Sequence, residues 1–90
     1  MESQIATSIP IQMIACTDTD GKITPLRFRF KNSEGEIVSV NIEHIISIGT
    51  LARNLGASFV CCSTIDGIQK QYELFLSAFT GKWIISKIGR

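Results

Sequence analysis

From Leu26 to Lys31 the chain alternates without a break: Leu26, Phe28 and Phe30 are apolar, and Arg27, Arg29 and Lys31 are cationic. A strand sends successive side chains to opposite faces, so a period of two sorts the apolar residues inward and the cations outward. A helix would scatter them around its girth. The segment is therefore a β-strand with one buried and one wet face. Turn-forming pairs recur around it, at Asp20-Gly21, Glu34-Gly35, Asp66-Gly67 and Thr80-Gly81, each between short runs rich in Ile, Val, Phe and Tyr. Such pairs return one strand antiparallel to the last.

Six strands follow from this punctuation. Ile9 to Ala15 is the first, with Ile9, Ile11 and Met13 on one face; Pro10, which donates no ladder hydrogen bond, places its start at a sheet edge. The Leu26–Phe30 run is the second. In the third, Ile37 to Ile48, Val38, Val40 and Ile42 share a face, and the parity then blurs at His44-Ile45-Ile46, which requires a β-bulge or a sharp bend. Gly49 to Gly56 has good helix formers for one or two turns, with Thr50 as N-cap and Gly56 as stop. Ser58 to Ile65, Ile68 to Ala78 and Lys82 to Ile88 complete the set. Short strands at near-even spacing predict an all-β fold, a six-stranded antiparallel meander forming a small, partly open barrel or strongly bent sheet. Residues 1–8 read as a flexible N-terminal segment and 9–90 as a single β-domain. The expected core is Leu26, Phe28, Phe30, Val38, Val40, Ile42, Tyr72, Leu74 and Trp83.

The formal net charge of +1 gives no global pull toward nucleic acid or anionic lipid, so any such binding has to rest on a local patch. Met1-Glu2-Ser3-Gln4 lacks the basic start and apolar core of a signal peptide, and no apolar run reaches the ~20 residues that cross a bilayer. A cytoplasmic protein is expected. Cys16, Cys61 and Cys62 have no CxxC spacing, and adjacent cysteines on a strand point to opposite faces. They read as small apolar residues of a reducing compartment, with no metal and no cofactor expected.

Catalysis finds little to work with. The single histidine, His44, shares strand parity with Val40 and Ile42 and reads as a core or rim residue, so a non-enzyme is expected. The acidic stretch Asp18-Thr19-Asp20-Gly21 fails as a calcium loop: aligned on Gly21, it puts Cys16 and Arg27 where an oxygen ligand and a bidentate glutamate are needed. Asx-turn hydrogen bonds are the better role for these aspartates.

Two surfaces remain as candidates for binding. Arg27, Arg29 and Lys31 place three cations on one face at intervals of about 7 Å, a spacing suited to successive phosphates of a single strand. Trp83 and Phe75 are the aromatics available for base stacking, while Glu34, Glu36 and Glu43 stand to neutralise the row. The second surface is the C-terminal hairpin, which is apolar on both parities at Tyr72, Leu74, Phe75 and Leu76, then at Trp83, Ile84 and Ile85. A sheet buried on one side does not need Phe75 and Ile85 facing outward. Phe75, Trp83 and Ile85 are thus the candidate protein interface, for a second copy or another protein. The reading favoured is a non-catalytic interaction module, a homodimer or protein binder acting through this hairpin; the alternative is weak single-stranded nucleic-acid binding through the basic face.

Pro25-Leu26-Arg27-Phe28-Arg29-Phe30, Val38-Ser39-Val40-Asn41-Ile42 before Ile45-Ile46, Gly56, Phe59-Val60-Cys61, Tyr72-Glu73-Leu74 and Lys82-Trp83-Ile84 together resemble a small family from Gram-positive anaerobic bacteria to which no activity is assigned. The resemblance spans residues 9–88 and implies a small β-fold, with no catalytic residue to carry over. Gly81 stands where relatives often carry a cysteine before the Lys-Trp pair, which argues against an obligatory metal or disulfide there.

Overall fold

In the computed structural model, which describes residues 6–88, seven strands form one antiparallel sheet. They are β1 (Ala6–Thr17), β2 (Ile23–Lys31), β3 (Ile37–Asn41), β4 (His44–Thr50), β5 (Gly56–Ile65), β6 (Ile68–Ser77) and β7 (Trp83–Ile88). Their spatial order is β3-β2-β1-β7-β6-β5-β4, so β3 and β4 are opposite edges of the sheet although only Ile42 and Glu43 separate them in the chain. Three Cα steps span at most about 11 Å, and the sheet therefore has to curl until its edges meet at that corner. The result is a half-barrel. The Ile42 amide donates to the Leu26 carbonyl on β2 at 3.0 Å, and the next amide, that of Glu43, donates to the Cys62 carbonyl on β5 at 3.2 Å.

This corner is why there are seven strands and not six. The third strand expected over Ile37 to Ile48 breaks at Ile42-Glu43, and a bulge follows between Ile45 and Ser47, so the blurred parity has both causes. Past the break, His44 lies opposite Cys62 and is exposed, not aligned with Val40 and Ile42. β1 is a second corner: its first half, through Ile11, pairs with β7, and its second half, from Gln12, pairs with β2. Pro10 sits opposite Ile84 where β1 is laddered to β7 alone, so the start of β1 has the open side that a proline needs. The strand begins at Ala6, inside the expected N-terminal segment, whose residues 1–5 lie outside the described ones.

The buried core is Phe28, Val40, Phe59, Cys61, Tyr72, Leu74 and Ile85, with Phe30, Val38, Ile42 and Trp83 half-buried against it. Leu26 departs from the expectation and is 47% exposed. Ile14 pairs with Arg27 and Ala15 with Pro25, which leaves Leu26 as the extra residue of a bulge and turns Pro25 inward in its place. Gly49 to Gly56 holds one short helical turn of 3-10 type, at the low end of the expected length, and Thr50 does not cap it. β4 continues through Thr50, and the three-residue turn Ala52–Asn54 that follows has Arg53 and Asn54 in left-handed conformation.

Local side chains fix the turns. Asp18 Oδ1 accepts from the amides of Asp20 and Lys22, both at 2.9 Å, and Asn32 Oδ1 accepts in the same way from Glu34 and Glu36. The aspartate loop is thus an Asx turn. Asp66 and Gly67, with φ of 53° and 77°, close β5 onto β6 in a two-residue turn of the twist that hairpins favour.

Candidate functional site: the outer face of the sheet

With the inner face filled, what remains is the convex outer face. Arg27, Arg29 and Lys31 are all exposed there. Their opposite numbers on β3 are Asn41, Ser39 and Ile37, and on β1 Ile14 faces Arg27 while Gln12 faces Arg29. Among the described residues no carboxylate stands opposite the row. Glu34 and Glu36 lie in the β2–β3 turn, where Glu36 accepts from the Asn32 side-chain amide at 3.3 Å. Glu43 is at the corner and accepts from the Thr64 amide (3.2 Å) and hydroxyl (3.3 Å).

Arg29 is held in place by a neutral partner. Its Nε and Nη2 donate to Gln12 Oε1 at 3.1 and 2.8 Å, which orients the guanidinium without cancelling its charge. Grooves of about 400 and 380 Å³ lie on its two sides. One runs between Pro10, Lys31 and Ile37, and the other between Ile14, Arg27 and Ser39.

The hairpin residues separate by register. Leu74 pairs with Ile85, Phe75 with Ile84 and Leu76 with Trp83, so the outward pair is Phe75 and Ile84. Ile85 is 1% exposed and belongs to the core, a correction to the expected interface. Trp83 also faces inward, its ring 5.3 Å from that of Phe59. Sequence reasoning missed Ile84 because Trp83-Ile84-Ile85 is apolar on both parities, and only the pairing with β6 decides between them.

Phe75 and Ile84 form the floor of an apolar pocket of about 380 Å³, walled by Leu51 and Leu55 from the β4–β5 link and rimmed by Lys82. The link is pinned by Leu51 N–H donating to the Gly56 carbonyl and Ala78 N–H donating to the Leu55 carbonyl, each at 2.9 Å. Arg53, at φ 60° and ψ 27°, holds a left-handed conformation that costs a non-glycine residue about 1–2 kcal/mol. Gly56 takes φ 155°, where an added Cβ would meet the Leu76 carbonyl oxygen. Leu55 is 44% exposed, and Phe79, next to the pinned Ala78, is 77% exposed. Apolar surface therefore continues past the pocket mouth.

Between pocket and cations the outer face is continuous. Phe75 lies opposite Ile84, Ile84 lies opposite Pro10, and Pro10 lines the groove shared with Arg29 and Lys31. Trp83, by contrast, is turned away from the cation row, and Phe75 is separated from it by β7 and β1.

Elsewhere the reactive groups are dispersed. Cys16 is exposed, Cys61 buried and Cys62 half-buried, all as free thiols. Burial, with a smaller contribution from Cys62, pushes the Cys61 thiol up to about 11. Among the described residues no three His, Cys, Asp or Glu side chains converge as a metal site, and no helix is long and apolar enough to cross a membrane. No family model, curated protein or solved structure matches the chain.

Proposed function

We propose that this protein is a non-catalytic interaction module that grips a protein segment on the outer face of its C-terminal hairpin. The observation that carries the reading is the pocket over Phe75 and Ile84. It lies on the side of the sheet away from the core, and residues from the β4–β5 link and from two further strands converge on it. The inner face is already filled by Leu74 and Ile85 on the same two strands, and Phe75 and Ile84 on the opposite face stay half-exposed under the β4–β5 link. Selection from a display library of random dodecapeptides on the full chain tests the reading. Enriched peptides are expected to lose affinity at least tenfold on Phe75→Lys while the thermal midpoint of the variant stays close to wild type. Peptides indifferent to that substitution, or no enrichment, would count against it.

A second occupant, another copy of the chain, is favoured by the β4 edge. The strand His44–Thr50 carries no lysine, arginine or proline, it exposes Ile46 and Ile48 at 55% each, and the bulge at Ile46 is its one guard against pairing. Edge-to-edge pairing of two copies would then give a symmetric dimer. Sedimentation of wild type beside Ile48→Lys reads this directly: a dimer that the lysine dissociates supports it, and a monomeric wild type removes it.

A further inference from the structure

The pocket and the cation row belong to one path, and that path specifies what kind of segment fits. Resting on the interaction reading above, we infer that the partner is an extended acidic segment. It seats an apolar side chain over Phe75 and Ile84 and brings a carboxylate to Arg29 and Lys31.

The path crosses the strands at the level of Phe75, Ile84 and Pro10 and reaches the groove beside Arg29 and Lys31. Going from β6 through β7 to β1 takes two strand spacings, about 10 Å. β1 is not laddered to β2 at Pro10, and the last step is into the groove that Pro10 lines with Arg29 and Lys31. An extended chain crosses the two spacings in about three residues and enters the groove with the next. An apolar anchor and an acidic residue separated by about four positions therefore match the two ends of the face.

Charge complementarity fixes the sign of the second end. Arg29 is pre-oriented by Gln12, Lys31 lies opposite Ile37, and neither has a carboxylate across from it on the neighbouring strands. At the other end Glu73, two residues from Phe75 on β6, lies opposite Val60 on β5 and Lys87 on β7, and Lys82 rims the pocket, so the pocket selects by its apolar floor and not by charge. A planar, fixed guanidinium suits a carboxylate as a bidentate partner.

Single-stranded nucleic acid is the competing polyanion, and the geometry favours it less. Its bases need exposed aromatic faces beside the phosphate track. Trp83 is packed inward on Phe59, and Phe75 is on the far side of β7 and β1 from the cations.

The dodecapeptide selection, repeated on the charge-reversed variant R29E/K31E, tests the inference. Wild type is expected to enrich peptides with Asp or Glu about four positions from an apolar residue, and their affinity should fall at least tenfold on R29E/K31E. The reversed variant should enrich Lys or Arg at the same offset. Peptides that depend on Phe75 but show no acidic preference would overturn the inference and leave the interaction reading standing. Peptides indifferent to Phe75→Lys would overturn both. Fluorescein-labelled oligothymidylate binding tighter than the best peptide, lost on R29E/K31E and untouched by Phe75→Lys, would assign the row to nucleic acid instead.

Discussion

Phe28 on β2 and Tyr72 on β6 meet edge to face across the interior of the curled sheet, their ring centroids 5.4 Å apart. These strands are separated in the sheet by β1 and β7, so the contact exists only because the sheet closes on itself. Phe28→Ala should accordingly cost about 3–5 kcal/mol, the range for emptying an aromatic site in a packed core. Leu26→Ala, two positions away on the bulge, should cost under about 1 kcal/mol because that side chain is half in water. Urea unfolding of the two variants measures the contrast. Equal losses would place Leu26 inside.

The buried hydroxyls of Ser63 and Tyr72 share a 2.6 Å hydrogen bond. Tyr72→Phe strands the Ser63 hydroxyl and should destabilise by about 1–2 kcal/mol; Ser63→Ala strands the tyrosine in the same way. The double variant should lose less than the sum, since it leaves no orphan behind.

The same groups set an alkaline limit. Burial raises Tyr72 from 10.0 to about 12 against the opposing Ser63 hydrogen bond, and burial raises Cys61 from 9.0 to about 11. Both are acids that the fold keeps neutral, so the unfolded chain releases their protons first. The contribution of these two groups should be constant below pH 9.0 and be lost from there until about 12. The slope should be up to about 1.4 kcal/mol per pH unit for each group inside its interval. Urea midpoints across pH provide the test, and Tyr72→Phe should remove the upper part of the decline.

The β4–β5 link stores local strain beside the pocket. Arg53→Gly, which relieves a left-handed arginine, should raise stability by about 1 kcal/mol. Gly56→Ala should lower it by about 3 kcal/mol, because the new methyl would be driven into the Leu76 carbonyl. Thermal melts of the pair should therefore move in opposite directions.

Much of this architecture is legible in the residues. Alternation at Phe28 and Phe30 marks the inner face of β2, the Asp66-Gly67 pair marks the β5–β6 turn, and Asp18 marks its own Asx turn. What escapes are features decided by pairing between distant segments. Leu26 has the same local pattern as Phe28 and is expelled by a bulge that involves Ile14 and Ala15 on another strand. Ile85 and Ile84 are equivalent in sequence until β6 selects one of them for the core. The pocket is harder still to see, since Leu51 and Leu55 come to Phe75 through a link that reads as a short helix.

The central claim is that a partner segment binds along the outer face, from the Phe75 pocket to the Arg29 and Lys31 groove. Its most direct test is a titration of the isotopically labelled full chain with a library-selected peptide, followed by backbone amide chemical shifts. The expected result is a continuous band of perturbed amides at Leu51, Phe75, Ile84, Arg29 and Lys31, with those of Phe28 and Leu74 nearly still. Perturbation confined to the edges β3 and β4, with the Phe75 and Ile84 amides unmoved, would contradict it.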